Sequence, residues 1–344
     1  MLHLTIAFSK NPRLNPLIER AVTPENITLE FVQIHPAELF FRNLKYDEFD
    51  VTEMSISDFL MARERSDGTR WQWSALPVFL LKAFLWLNTF VNNQSGIESA
   101  ADLKGKRVGV PDYQMTAALW MRIVLEELYG IKHRDIHWHI GRTKDVSHGV
   151  LLGLDKDPPP GVSLYWLGEN QTLDRMLDEG QIDAGWGVAP HYDRRTENFR
   201  DIDRYGGTPI AGNPRIRRLF PDGGKSIISE YYQKTGIFPV NHMVVVKKDI
   251  LEKNPWVALE LYKAFRRSKE LAFEQARTIG AAYFFFVEEL VKQQTMLFGS
   301  DPYPLGIRAN AKMLNVLMRA SFKEGLTKKL ARVEEVFYPT TLDT

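Results

Sequence analysis

The 344-residue chain contains no cysteine. That excludes disulfides, thiolate metal sites and a cysteine nucleophile. It also lacks charge of one sign: 44 Lys and Arg stand against 43 Asp and Glu, a formal net charge of +1, and no run of five or six like charges occurs. Such a balance offers no electrostatic footprint for nucleic acid. No apolar run is long enough to span a bilayer comfortably, since Pro77 to Val91 is interrupted by Lys82 and Asn88. No Walker A loop, G-x-G-x-x-G fingerprint or G-x-S-x-G elbow is present. His133, His137 and His139 come without a carboxylate pattern or recognised metal signature, so no metal is expected. The N-terminus enters an alternating strand at once, without a basic, apolar and small-residue leader pattern, so a cytoplasmic protein is expected.

What is present is an ordinary globular balance, 44% hydrophobic and 25% charged, over a length that suits two lobes. Leu4, Ile6 and Phe8 share one strand face, and Ile27 to Ile34 reads as a second strand. Pro36 opens a helix, and Phe49 to Met54 is a strand that runs into a helix near Ser57. Ser74 to Phe79 and Leu85 to Val91 read as two further short strands. This order predicts βαβ units and a largely parallel sheet.

A second α/β unit starts after Gly96. It comprises a short helix over Ala100 to Leu103, a strand ending at Val110, and a long helix carrying Leu119, Ile123, Leu125 and Leu128 that stops at Gly130. Ile136 to Ile140 is a strand, Asp155 to Gly161 a loop, Gln171 to Leu177 a helix and Ile182 to Val188 a strand. Asp193 to Gly224 is read as a long polar excursion. Met243 to Val246 is a strand, Asn254-Pro255 is expected to start a helix, and the remainder is mostly helical. Tyr283-Phe-Phe-Phe286 is read as core or a subunit contact, so a homo-oligomer is an open expectation. The predicted architecture is α/β and two-lobed, residues 1–92 plus 238–344 forming one lobe and 93–237 the other, with a ligand cleft between them.

Several segments resemble the 4,5-dihydroxyphthalate decarboxylase family: Phe40-Phe-Arg42, Phe49 to Ser57 (FDVTEMSIS), Asp102 to Thr116 (DLKGKRVGVPDYQMT), Gln171 to Leu177, Arg218 to Pro221, Tyr232 to Pro239 (YQKTGIFP), Pro255 to Val257 and Leu261 to Phe265. The resemblance runs from about Ile27 to Pro339 and implies a type II periplasmic-binding-protein-like fold with an interlobe cleft. It implies a cofactor-independent, cytoplasmic carboxy-lyase acting on a hydroxylated aromatic dicarboxylate. Two segments depart from the family: Phe84-Leu85-Trp86-Leu87 stands where Phe-Arg-His-Ser is expected, and Phe8 to Pro12 lacks a Gly-Asp-Tyr-Asp character. The departures keep two other readings open, a non-catalytic binder of aromatic carboxylates and a lyase for a less charged substrate.

Candidate site residues follow from the strand-to-helix corners. Tyr113, Gln114, Met115 and Thr116 open the long helix of the second unit, where unpaired N–H groups and the helix dipole suit a carboxylate. Glu53, Ser55 and Ser57 occupy the matching corner of the first unit, the serines as donors or helix caps and Glu53 as a base for a phenol. His242, at the second crossing, is the expected proton donor to carbon, supported by the resemblance. Trp186 and His191 are placed as a flat surface for the ring, and Arg42 as a cation that steers the anion.

Overall fold

The structure, a computed structural model, describes residues 1–188 and 204–344. Its first part alternates β1 (Leu2–Phe8), α1 (Asn15–Ile18), β2 (Ile27–Gln33), α2 (Pro36–Tyr46), β3 (Val51–Ser55), α3 (Ile56–Glu64) and β4 (Trp73–Lys82). The middle part holds β5 (Phe90–Asn92), β6 (Arg107–Val110), α4 (Thr116–Tyr129), β7 (His137–Ile140), α5 (His148–Leu151), β8 (Ser163–Trp166), α6 (Leu173–Asp178), β9 (Ala184–Gly185), β10 (Ile216–Arg218) and α7 (Lys225–Thr235). The chain then returns through β11 (Val240–Lys247) into α8 (Lys248–Lys253), α9 (Val257–Tyr283), α10 (Val287–Phe298), α11 (Ala311–Lys323) and α12 (Val333–Val336).

Two sheets result, in the orders β2-β1-β3-β11-β4 and β10-β5-β9-β6-β7-β8. β1 runs parallel to β2 and β3, and β6 runs parallel to β7 and β9. The largely parallel expectation needs correcting for the first sheet. There β11 runs antiparallel to both β3 and β4, because the chain re-enters from the second unit in the opposite direction. The expected strand over 85–91 is also wrong in part. Leu85–Asn88 forms a single 3₁₀ turn, and β4 instead runs unbroken to Lys82. Since β5 belongs to the second sheet, the first crossing lies before residue 90 rather than after residue 92.

Leu4, Ile6 and Phe8 pack with Leu76, Val78, Val244 and Val246 under α9, so the alternation in β1 points where the sequence indicates. A larger core continues from Phe40, Met54 and Phe79 through Trp86 and Tyr113 to Trp120 and Trp138, joining the layers of both sheets. Gly130 ends α4 in the left-handed conformation, φ 68°, which a side chain would strain. Asn254 does not start a helix: it closes α8, and α9 begins at Val257. Strand β8, unforeseen, is a half-exposed edge whose apolar alternation is weak, and β10 lies within the segment read as an excursion. Tyr283 is the last residue of α9, and Phe284 to Phe286 are exposed in the link to α10, so the core reading of that run fails. Among the described residues no helix is long and apolar enough to cross a membrane.

The two units are locked by buried polar contacts as well as by the shared core. Trp120 Nε1 on α4 donates to Val240 O on β11 at 2.8 Å. Arg122 Nε, on the same helix, meets Glu324 Oε2 at the end of α11 at 2.6 Å, with both side chains almost fully buried. Burial is the main influence on Glu324 and, against the opposing pull of Arg122, raises its carboxyl above the ordinary range. Removing one partner of such a pair strands a buried charge. Glu324→Ala should therefore cost about 3–5 kcal/mol in urea unfolding, whereas the paired change Arg122→Met with Glu324→Met should recover most of it; a loss in the single variant too small to measure would contradict the assignment.

Candidate active site

β3 and β6 each end in a corner that opens a helix, and the two corners meet. Thr116 Oγ1, at the first turn of α4, accepts the Ser57 N–H at 2.9 Å and pairs with Ser55 Oγ at 3.0 Å. Ser55 also caps α3 by accepting from the Asp58 N–H at 3.3 Å. Beside this contact lies a cavity of about 220 Å³. Its lining includes Phe40, Ser55, Asp58, Leu81 and His242 from the first sheet's layer, and Pro111, Met115, Thr116, Arg142, His148 and Trp186 from the second. The walls are mostly apolar with few, convergent polar groups, the character of a small-ligand site. A wider hollow of about 720 Å³ between α9 and α10 has a rim of exposed charged side chains including Glu270, Glu274 and Arg277 and lacks that convergence.

The cavity's polarity comes from three sources. The first is the open end of α4: Met115 gives no side-chain cap, and Met115, Thr116 and Ala117 all line the cavity. First-turn N–H groups and the helix dipole there favour an anion. The second is His242. Its Nδ1 lies 2.6 Å from Glu53 Oε1, while Glu53 Oε2 accepts both the backbone N–H and the hydroxyl of Ser9 at 2.7 Å. An ionised carboxylate only accepts, so the proton sits on Nδ1 and Nε2 is the ring nitrogen left for a guest. Phe40 fixes the ring edge-on at 4.8 Å. Burial is the largest influence on Glu53 and works against its charge, but the bonds from His242 and Ser9 prevail and hold its carboxyl below the ordinary range.

The third source is a buried cluster of charges. Arg142 follows β7, and its Nη1 lies 3.1 Å from Asp112 Oδ2 and 3.1 Å from His148 Nδ1. Asp112 is further held by the Ser147 hydroxyl at 2.6 Å and the His148 N–H at 2.8 Å. His148 then bridges to the other side: Nδ1 lies 3.2 Å from Asp58 Oδ2, and Nε2 lies 2.9 Å from Ala37 O. Asp58 Oδ1 is buried without a hydrogen-bond partner. Arg142, His148 and Asp58 all line the cavity, and sequence reasoning missed all three.

The sequence-derived candidates divide accordingly. Ser55, Met115, Thr116, Trp186 and His242 line the cavity. Gly187 has φ +76°, and a Cβ there would lie 2.7 Å from Pro111 Cγ, so only glycine lets the Trp186 turn approach that wall so closely. Ser57, Tyr113 and Gln114 are fully buried and do not line it. Ser57 contributes its N–H to Thr116, Tyr113 lies under the Arg122 guanidinium at 3.9 Å, and Gln114 packs against Gly149. Glu53 sits behind His242, which corrects its placement as a base for a phenol: its carboxylate is spent on His242 and Ser9. Arg42 lies outside the cavity, because α2 turns it toward Glu48 and Glu38 over the Phe49 ring. His191 lies outside the described residues. His139 stacks on Tyr165 at 5.1 Å, and His137 is exposed. In the departing 84–87 segment Leu85 forms cavity wall, while Trp86 packs on Phe220 at 5.3 Å.

No family model matches the chain. Aligned over 347 residues, it is 33% identical to the 4,5-dihydroxyphthalate decarboxylase of Comamonas testosteroni, covering 100% of this chain and 98% of that protein. The chain belongs to the 4,5-dihydroxyphthalate decarboxylase family. A relative of the same name from Pseudomonas putida is 37% identical over 183 residues, 53% of this chain and 69% of that protein. Among solved structures, the periplasmic aliphatic sulphonate binding protein SsuA from Escherichia coli matches over 100% of both chains at TM-score 0.50 and 13% identity. A putative periplasmic sulfonate-binding protein from Methylobacillus flagellatus matches at TM-score 0.53 and 13% identity, over 100% of this chain and 93% of that one. These likenesses establish for this family member the two-lobed periplasmic-binding-protein fold.

The Glu53–His242 pair predicts a defined acid response. A carboxyl held below its unfolded value of 4.5 contributes stability that is complete above that pH and is lost as pH falls through the lower, folded value. Glu53→Gln should therefore lower the melting temperature most at neutral pH, and its deficit should shrink progressively below about pH 4.5. A deficit that stays constant from pH 7 to pH 3 would show that the pair contributes nothing through its charge.

Proposed function

We propose that the chain is a non-oxidative decarboxylase of a hydroxylated aromatic dicarboxylate of the 4,5-dihydroxyphthalate type, working in the cytoplasm without a cofactor. The observation that carries this reading is the convergence of His242, Asp58 and the open end of α4 with Arg142 on one single-ring-sized cavity. Family membership supports the reaction class.

In this reading the carboxylate that stays on the ring lies against the α4 N-terminus, with Arg142 as the nearby fixed cation. Asp58 Oδ1 accepts the hydroxyl para to the leaving carboxylate, and as that O–H ionises, electron density rises at the carbon bearing the carboxylate. His242, after taking a solvent proton on Nε2, delivers that proton to the carbon, giving a dearomatised ring with a carbonyl at the para position and a neutral imidazole that solvent reprotonates. The C–C bond then breaks, its electron pair restores the aromatic ring, neutral CO₂ leaves, and the para oxygen recovers its proton from Asp58. Glu53 keeps its negative charge beside the imidazolium that precedes transfer, as an orienting acid does in other proton relays. The apolar wall of Leu81, Leu85, Met115 and Trp186 desolvates the departing carboxylate and so favours loss of a neutral molecule. We propose further that residues 1–92 with 238–344, adjusted for β5, close against the middle segment about the two crossings.

Incubation with 4,5-dihydroxyphthalate should release CO₂ and leave 3,4-dihydroxybenzoate. His242→Ala should lower kcat by roughly 10²–10⁴-fold with KM little changed, and Asp58→Asn should abolish the advantage of a para-hydroxylated substrate over phthalate. Tight binding with no turnover by the unmodified protein would instead identify a binding protein, the reading that the departure at Phe84 to Leu87 favours. Turnover confined to monocarboxylates would identify a lyase for a less charged substrate.

A further inference from the structure

β4 ends in two residues that face opposite ways. Leu81 lines the interlobe cavity, whereas Lys82 lines a separate cavity of about 190 Å³ behind the strand. Lys82 is 6% exposed. Its Nζ makes one long hydrogen bond, 3.4 Å to Asn310 Oδ1, and no ion pair within 4.0 Å among the described residues. Asp301 shares the lining but is taken by Lys269 Nζ and by the Tyr303 N–H at 3.0 Å. The remaining charges that face this region are positive. Arg13 bonds Leu80 O and lies 4.2 Å over the Tyr303 ring, and Lys312 on α11 bonds Thr235 O. An ammonium removed from water without a counter-ion is costly, and this one is surrounded by excess positive charge.

The rest of the lining includes the rings of Tyr232, Phe238 and Phe298, and Lys82 Nζ itself lies 5.6 Å from the centre of the Phe238 ring. Phe238 and Phe298 stack at 4.7 Å and 16°, and Tyr232 meets Phe298 edge-on at 4.8 Å. Gly236, Ile237 and Phe238 belong to the Tyr232 to Pro239 segment, a motif that the cleft chemistry leaves unused. Its Gly236 to Pro239 part is the second crossing, between α7 and β11.

We propose that this cavity is a second ligand site, distinct from the cleft, that takes a small carboxylate with its charge on Lys82 and its apolar body against Phe238 and Phe298. A guest there touches both β4 and the second crossing, so it ties the connection between the lobes. The site stands whether or not the cleft is a decarboxylase. Burial above all lowers the Lys82 ammonium to about 8, with Arg13 and Lys269 adding to the effect and Asp301 opposing it. Carboxylate binding restores the missing partner, so affinity should be full below that pH and fall about tenfold per pH unit above it.

Calorimetric titration of the full chain with benzoate at pH 7 tests this. Two sites per chain are expected. Lys82→Met should lose one of them, Lys82→Arg should retain both, and His242→Ala should retain the Lys82 site. Inorganic phosphate, which has no apolar body, should compete only weakly. Without ligand, Lys82→Met should melt above the parent protein, because it removes an uncompensated charge. Unchanged stoichiometry and affinity in Lys82→Met, or phosphate binding as strong as benzoate, would overturn the proposal. A failure of turnover in the cleft would leave these expectations untouched.

Discussion

The Thr116 hydroxyl carries the geometry on which the site depends. It sits at the first turn of one helix, accepts the backbone N–H of Ser57 at the first turns of another, and pairs with Ser55. Two helix N-termini ordinarily repel each other, since each presents the positive end of its dipole. Here a buried hydroxyl with two lone pairs and one proton resolves that conflict between α3 and α4. With the corners joined, β3 and β11 place Glu53 and His242 on one side of the cavity, and the end of β7 places Arg142 on the other. The start of α4 and the buried Arg142 guanidinium both border this cavity, and a helix N-terminus favours negative charge.

The Arg142 cluster shows how such a space is kept from collapsing onto its own charges. Asp112 neutralises Arg142 from within the same unit, and His148 carries the connection across to Asp58 and Ala37. Arg142 and Asp112 neutralise each other, which is what burial at this depth demands. The unpartnered atom is Asp58 Oδ1. Asp58 lines the cavity, and a buried carboxylate oxygen left without a donor costs free energy. The departures at Phe8 to Pro12 and Phe84 to Leu87 are absorbed by this arrangement. Ser9 orients Glu53, Leu85 supplies wall, and Arg142 is a cation in the same cavity lining.

The two-unit plan was legible because alternation in β1, a corner before each long helix and a stop at Gly130 are local signals. So were Ser55, Thr116 and His242, which sit at corners or a crossing. Arg42 misled because an isolated helical arginine gives no sign of which way it faces, and Glu48 claims it. Glu53 stands at the corner the sequence indicates, but its bond to His242, 189 positions away, depends on the β3–β11 register. The Arg142 cluster was out of reach for the same reason. Asp58 reads as an ordinary first-turn acid, and nothing local connects it with His148, 90 residues away. Long-range pairing of polar groups leaves no periodic trace, whereas core-facing side chains do.

The central claim is one of placement: a single ring lies in the cavity with its retained carboxylate at the start of α4 and the carbon to be protonated at His242 Nε2. A crystal structure with 3,4-dihydroxybenzoate bound measures this most directly. The account predicts the carboxylate within hydrogen-bonding distance of the Thr116 or Ala117 N–H, a ring hydroxyl on Asp58, and the newly protonated carbon as the ring atom nearest Nε2. A ring seated outside this cavity, or turned so that a hydroxyl meets Nε2 and the carboxylate meets Asp58, would contradict it.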